Sequence, residues 1–183
     1  TDAIDLLTVT GDATLNNIAY KKMTGVNETT GTATPAGFFT GALNNNNIRI
    51  DGSKLRVSGT ISSGASLPTP IEITINDFVF FKEGAAVGDA LDSTSGTLNQ
   101  TVNMNGSNVP LTIDYVLTSK GDGTLSSYTV NGNTYQNISK SKMVLSIKVT
   151  GTFSGIPLPI TLLDQQDVLV SNQYYAKNVG MIY

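Results

Sequence analysis

The chain contains no cysteine, no histidine and no tryptophan. Without Cys there is no disulfide framework from which to read the compartment. Cytosol, periplasm and bacterial cell surface all remain compatible. The preferred zinc ligands are missing too. No imidazole or thiol is on hand to run nucleophilic chemistry. Charge is also scarce: 14% of residues are charged, the net charge is −3 and the pI is about 4.7. With no basic stripe, nucleic acid is not an expected partner. An anionic membrane surface would repel the chain slightly. No apolar run approaches the roughly 20 residues of a membrane-spanning helix.

What is there points to β structure. The polar residues are mostly Thr, Asn, Ser and Gly. Thr packs well on a pleated surface, and Asn and Gly tolerate the positive φ of tight turns. The 183 residues suffice for one domain, 1–183. A chain of this size buries roughly 70% of its unfolded surface. It begins at Thr1. We read that as a processed or trimmed N-terminus, which leaves room for an upstream signal peptide.

Period-2 alternation marks the strands. Over 1–25 the pattern is indistinct, with Ile4, Leu6 and Leu7 as core or short-strand residues. Thr29 to Pro35 and Gly41 to Asn47 read as loops, the second carrying a solvated run of four Asn. In Lys54 to Ile61, Leu55, Val57 and Ile61 share a face. In Ile71 to Phe81, one face carries Ile71, Ile73, Ile75, Val79 and Phe81, and the other turns apolar at Phe78 and Phe80. A strand apolar on both faces lies under another layer, a ligand or a partner. Val109, Leu111, Ile113, Tyr115 and Leu117 alternate after an Asn105-Gly106 turn. Asn131-Gly132 repeats that hairpin device. Asp51-Gly52 and Asp122-Gly123 are further turn candidates. Met143, Leu145, Ile147 and Val149 define another strand. Pro157 and Pro159 then force an edge or crossing, because Pro donates nothing to a ladder. Asp167–Ala176 and Val179–Tyr183 close the chain as strands. The expectation is about nine or ten strands with little helix: an all-β antiparallel sheet curved into an open half barrel or a sandwich.

Chemistry-bearing constellations are few. Ser139-Lys140-Ser141-Lys142 invites a Ser–Lys dyad, but alternation puts both lysines on an outward face beside water. A catalytic lysine needs desolvation. Glu72, Asp77, Asp114 and Asp167 read as outward positions and strand ends rather than a glycosidase pair. No phosphate-cradling Gly loop and no calcium-loop pattern appears. The reading is therefore no enzyme, no catalytic residue, no metal and no cofactor. Asn27, Asn105 and Asn137 stand in Asn-x-Ser/Thr sequons that this composition supplies by chance. Asp92-Ser93-Thr94 has the form of a short bacterial O-glycosylation pattern in a loop-like stretch, with Ser93 as acceptor.

Residues 124 to 183 carry a resemblance. Tyr128 to Tyr135 leads through Asn137-Ile138 into Lys142–Val149, then to Gln173-Tyr174-Tyr175-Ala176-Lys177-Asn178-Val179-Gly180-Met181-Ile182. This order resembles uncharacterised exported lipoproteins of Bacteroidota, especially flavobacterial ones. Those are similar in outline to the open half barrels of periplasmic lipoprotein carriers. Asn178 stands where Gly is usual in that pattern, and Asn also tolerates a left-handed bend. The lipid-bearing Cys of such proteins is absent from this chain. The resemblance implies a bacterial cell-envelope location at the outer membrane, with membrane attachment only through a lipid anchor that this chain lacks. It brings no catalytic residues.

Three functions follow as expectations. One is a non-catalytic accessory or docking subunit of an envelope or outer-membrane protein complex. Phe78 and Phe80 would be its docking patch, weighed against their being core. Another is a carrier of a lipid or other apolar ligand in a cavity of several hundred cubic ångströms. The last is a carbohydrate-binding domain, against which the lack of Trp counts.

Overall fold

The computed structural model describes residues 4–62, 72–104 and 106–183. Two antiparallel sheets of five strands make up the molecule, and neither closes into a barrel. Sheet A holds β1 (Asp5–Leu15), β2 (Ile18–Asn27), β3 (Asn47–Asp51), β4 (Lys54–Ser62) and β5 (Glu72–Lys82), in that spatial order. Sheet B holds β6 (Ala90–Met104), β7 (Ser107–Val130), β8 (Asn133–Gly151), β9 (Ile160–Ala176) and β10 (Gly180–Met181), also in sequence order. The all-β open-sheet or sandwich expectation is what the structure shows. One short helix, α1 (Phe38–Leu43), lies between β2 and β3. Among the described residues no helix is long and apolar enough to cross a membrane.

Turn chemistry explains most of the reversals. Asn131 and Gly132 sit at φ 50° and 78° between β7 and β8, as a two-residue hairpin loop demands. Gly52 at φ 60° opens the tight turn from β3 to β4. Asn16 and Asn17, at φ 50° and 63°, make the β1–β2 hairpin that the alternation did not resolve. Of the Asn105-Gly106 turn, Gly106 has φ 83°, while Asn105 and Ile71 lie outside the described residues.

Two expectations need correction. Asp122-Gly123 does not reverse the chain. It forms a bulge inside β7, where the pairing with β8 shifts between Gly121 and Thr124, so the strand runs on to Val130. The 41–47 stretch is no solvated loop either. Gly41 to Leu43 belong to α1, and Asn46 is buried. The Asn46 amide donates to the Thr60 carbonyl (2.8 Å) and accepts from the Thr60 N–H (3.0 Å). A third bond, to the Ala42 carbonyl, ties α1 to β4. Asn44 Oδ1 accepts from the Gly25 N–H at 2.8 Å. The Asn run stitches sheet and helix together.

One core serves both sheets. It joins Phe39 and Leu43 of α1 and Val57 of β4 to Leu117 of β7, Met143, Leu145 and Ile147 of β8, and Tyr175 of β9. β5 lies at its centre, and there the simple alternation fails. Asp77 takes φ 53°, and the pairing passes from Val57↔Phe78 to Gly59↔Ile75. Asn76 and Asp77 thus oppose Ser58 alone, which is a β-bulge. The extra residue reverses the facing of Phe78 and Val79, and a second register shift follows at Phe80, between Leu55 and Arg56. Ile75, Phe78 and Phe80 line the same side, beside Phe39 and Met143. Phe80 and Phe39 meet at 5.2 Å between ring centres. Phe81 lies instead against Tyr175, at 3.9 Å. Burying a Phe side chain is worth roughly 2–3 kcal/mol.

The crossing from one sheet to the other is closely fastened. β5 has a strand partner on one side only. On the other, the Val79 N–H donates to Asp92 Oδ2 (2.9 Å), and the Ser119 hydroxyl donates to the Val79 carbonyl. The Gly84 N–H donates to Ser139 Oγ at 3.2 Å. The connection then folds onto Gly121, whose carbonyl accepts from Gly88 N (2.9 Å) and whose N–H donates to the Asp89 carbonyl (2.8 Å). A Cβ at Gly121 would strike the Ala86 carbonyl oxygen and come within 2.7 Å of the Ala85 Cβ. Gly121→Ala is therefore expected to destabilise by about 2 kcal/mol or more, lowering Tm by roughly 4–8 °C. Gly11→Ala, with open space around it, should leave Tm unchanged. Thermal unfolding followed by circular dichroism checks both.

Candidate functional site

Phe78 and Phe80 are 3% and 2% exposed. They belong to the core, so no outward docking patch stands on them. The bulge at Asp77 is the reason, since it turns both rings toward α1 and β8. Ser93 is exposed, but on strand β6 opposite Thr118 rather than in a loop. Its neighbour Asp92 is occupied by the Val79 and Ser93 N–H groups. Of the sequons, Asn27 is buried and its Oδ1 accepts from Thr30 N. Asn137 is exposed at φ 55°, and Asn105 lies outside the described residues.

The other candidates have ordinary partners. Ser139 and Ser141 are buried while Lys140 and Lys142 face outward, as alternation predicts. Lys140 Nζ lies 2.8 Å from Asp122 Oδ2. That hydrogen bond outweighs desolvation and raises the lysine's pKa, the opposite of what a catalytic lysine needs. Asp114 accepts from the Thr97 hydroxyl at 2.6 Å, and Asp167 accepts from the Ser146 hydroxyl. Glu72 is exposed at the start of β5.

Asp77 is the centre of a network across four strands. Arg49 Nε and Nη2 each donate to its carboxylate at 2.6 Å, and the Tyr20 hydroxyl donates at 2.6 Å. Arg56 Nη1 donates to the Asp77 carbonyl at 2.8 Å. Asp77 N donates to Ser58 Oγ at 2.7 Å. The bulge that sets β5's facing is thus held by a bidentate pair and three further polar groups. The Arg49 hydrogen bond, helped by Tyr20 and opposed by desolvation, holds the Asp77 carboxyl below its usual range.

Among the described residues the core between the sheets is closely packed at Phe39, Ile75, Phe78, Phe80 and Met143, with a void of only about 10 Å³. Two larger spaces open at the surface. One, of about 640 Å³, runs between 36–40, Val170 to Gln173 and 181–183. Its wall is fixed by Asp5, whose carboxylate accepts from Ala36 N and Gly37 N at 2.9 Å and from the Thr40 hydroxyl. Burial pushes the Asp5 pKa up, but these bonds outweigh it and leave it lowered.

The other is a crevice of about 350 Å³ where the β3–β4 hairpin of sheet A meets the end of β9 and β10. Ile50, Leu55, Phe81, Tyr175 and Val179 supply apolar surface, and Lys54, Glu83, Lys177 and Asn178 supply the polar rim. Lys177 Nζ pairs with Glu83 Oε1 at 3.1 Å. Asn178 takes φ 62°, the left-handed bend read for it, and Val179 N closes the turn onto the Ala176 carbonyl at 3.1 Å. At the base, the Tyr175 hydroxyl is buried and makes no hydrogen bond of good geometry. Burial raises its pKa well above the usual phenol range, with the nearby Ser141 hydroxyl opposing.

The sequence reading marked the 173–182 motif but not its opposite wall. It also missed a cluster of Tyr128, Tyr174 and Tyr183 on the outer face of sheet B. Neither has a local signature, because both bring together residues distant in the chain. No family model matches the chain, and no curated protein or solved structure is found similar to it.

The Asp77 network yields a pH signature. A depressed carboxyl pKa stabilises the fold above the ordinary carboxylate range. That contribution fades as pH falls through the folded-state value. Asp77→Asn keeps the bulge-compatible backbone but loses the charge. It is expected to be roughly 1–3 kcal/mol less stable than the parent at pH 7, with the gap closing at lower pH. Urea melts across the acid range check this.

Proposed function

We propose that the chain is a non-catalytic docking module of an exported assembly at the bacterial outer membrane. The seam crevice receives an apolar anchor side chain from a partner envelope protein. The observation that carries this reading is the crevice itself. An apolar floor of Leu55, Phe81 and Tyr175 beneath a charged rim is the form of a receptor for a buried anchor residue. Support for the envelope comes from the motif. The residues that resemble exported Bacteroidota lipoproteins, Tyr175 to Gly180, are the ones that build one wall of the crevice. Membrane attachment would come through a lipid anchor outside this chain. The net charge of −3 argues against a nucleic-acid partner.

Ile50 and Val179 are 76% and 63% exposed at the crevice, so changes there spare the core. A photo-crosslinking side chain at Val179 is expected to give one discrete adduct with an envelope protein in cells of the source bacterium. The same group at the equally exposed Leu158, away from the crevice, should give none. Ile50→Asp should weaken binding of that protein at least about tenfold, or 1.4 kcal/mol, without change in Tm. No adduct at Val179, or undiminished affinity in Ile50→Asp, would overturn the reading.

A further inference from the structure

The connection from β8 to β9 lies at the opposite end of those strands from the crevice. Every residue from Ser154 to Leu162 is exposed. Six of them, Ile156, Pro157, Leu158, Pro159, Ile160 and Leu162, are apolar, and Leu158 is 72% exposed. The segment is nonetheless built. Gly155 takes φ 81° in a turn that the Ile156 N–H closes by donating to the Phe153 carbonyl at 3.1 Å. The Thr152 N–H donates to the Pro110 carbonyl at 3.0 Å, and Phe153 packs against the core. Pro157 and Pro159 then fix φ along the tip. The result is an apolar projection held out into water.

Charge and hydrogen bonding define what would cover it. No charged residue lies between Lys148 and Asp164. Leu111 pairs with Gly151, so the β6–β7 hairpin ends on the same side, and it too is free of charge from Asp92 to Asp114. At its tip Asn103 Nδ2 donates to Asn108 Oδ1 (3.2 Å), and Asn103 Oδ1 accepts from the Gly106 N–H (3.1 Å). A pairing strand is a poor partner for the projection, because Pro157 and Pro159 donate nothing to a ladder. A groove on a protein covers one side of an extended segment, whereas this one is exposed residue after residue. A fluid hydrocarbon phase covers a projection on every side. It requires that charges and bare N–H groups stay out of it. The Ile156 N–H is satisfied within the turn and the prolines have none, so these positions ask nothing of the surrounding phase. At about 3.3 Å per residue, Lys148 and Asp164 lie roughly 10–13 Å back along their strands from Gly151 and Ile160. That leaves them in water when the tip enters a bilayer surface by about 5–10 Å.

We propose that the tip 154–162 inserts into the surface of a phospholipid bilayer with neutral, zwitterionic headgroups. The net charge of −3 disfavours an anionic surface, and the charge-free end of sheet B needs no headgroup charge to bind. An apolar patch of this size gives shallow, reversible attachment. Its effect is to stand β8 and β9 end-on to the membrane, with the crevice at their far end directed away from it. The tip contains none of the crevice residues, so it stands or falls independently of the docking reading.

Co-sedimentation of the full chain with phosphatidylcholine vesicles tests the proposal. The parent is expected to bind, to keep binding as salt rises, and to gain nothing from added phosphatidylglycerol. Ile156→Asp/Leu158→Asp should bind at least about tenfold more weakly. Its Tm should match the parent's, because both side chains are exposed; a loss through misfolding would show as a lowered Tm. The chain has no Trp, so Leu158→Trp carries a sole indole fluorophore. Its emission should move to shorter wavelength on the vesicles and be quenched by bromine on the acyl chains. Val87→Trp, beside Gly123 far along β7 from Leu111, should show neither effect. Absence of parent binding to phosphatidylcholine would overturn the proposal. So would equal binding of the double Asp variant, or an unshifted Leu158→Trp. A discrete protein adduct from a crosslinking group at Leu158, without vesicle binding, would overturn it and assign the tip to a protein partner. A parent dimer that the double Asp variant loses, again without vesicle binding, would overturn it and assign the tip to a second copy of the chain.

Discussion

Val79 ends a sheet. Its N–H and carbonyl point away from β4, the strand that β5 pairs with, and Val79 itself is buried. Left alone, those two groups would cost several kcal/mol. Sheet B satisfies them with side chains, the Asp92 carboxylate and the Ser119 hydroxyl, instead of with another strand. That substitution is what lets β5 be buried on both faces while the sheet stops. It also fixes how sheet A meets sheet B, because Asp92 and Ser119 sit on β6 and β7 at set heights. The shared core, the fold of 83–89 onto Gly121 and the crevice between Leu55 and Val179 all follow from that fastening.

Fold class was legible because it rests on local alternation. Met143 to Val149 and Val109 to Leu117 face as their spacing says. What alternation could not carry was the parity of a strand across a bulge. Nothing in Asn76-Asp77 announces an extra residue. The left-handed Asp77 is stabilised by Arg49, Arg56 and Tyr20, which arrive from three other strands. Simple alternation puts Phe78 and Phe80 on the outward face for that reason, and their burial in the core is the alternative that the structure shows. Asp122-Gly123 misled in the opposite sense, since the dipeptide that turns a hairpin also accommodates a bulge. Of the sites, the motif at Tyr175 to Gly180 was readable, including the bend at Asn178. Its facing wall depends on register, which one chain does not spell out.

The crevice is small, apolar at its base and formed by both sheets, so its shape depends on how they are docked. The cluster of Tyr128, Tyr174 and Tyr183 lies within sheet B. Small shifts at the seam would reshape the first and leave the second intact.

The sequential strand order has a consequence for biogenesis. Residues 5–82 complete one sheet before any of 90–181 is needed, and every strand pairs with its chain neighbour. Because the strands are long, many pairs join residues far apart in the chain, as Lys54 with Lys82 and Ile138 with Ala176, which slows the closing of each sheet. In a chain whose second half is still missing, an assembled first half would leave its aromatic face, including Phe80, bare to water. Such half-built species are sticky.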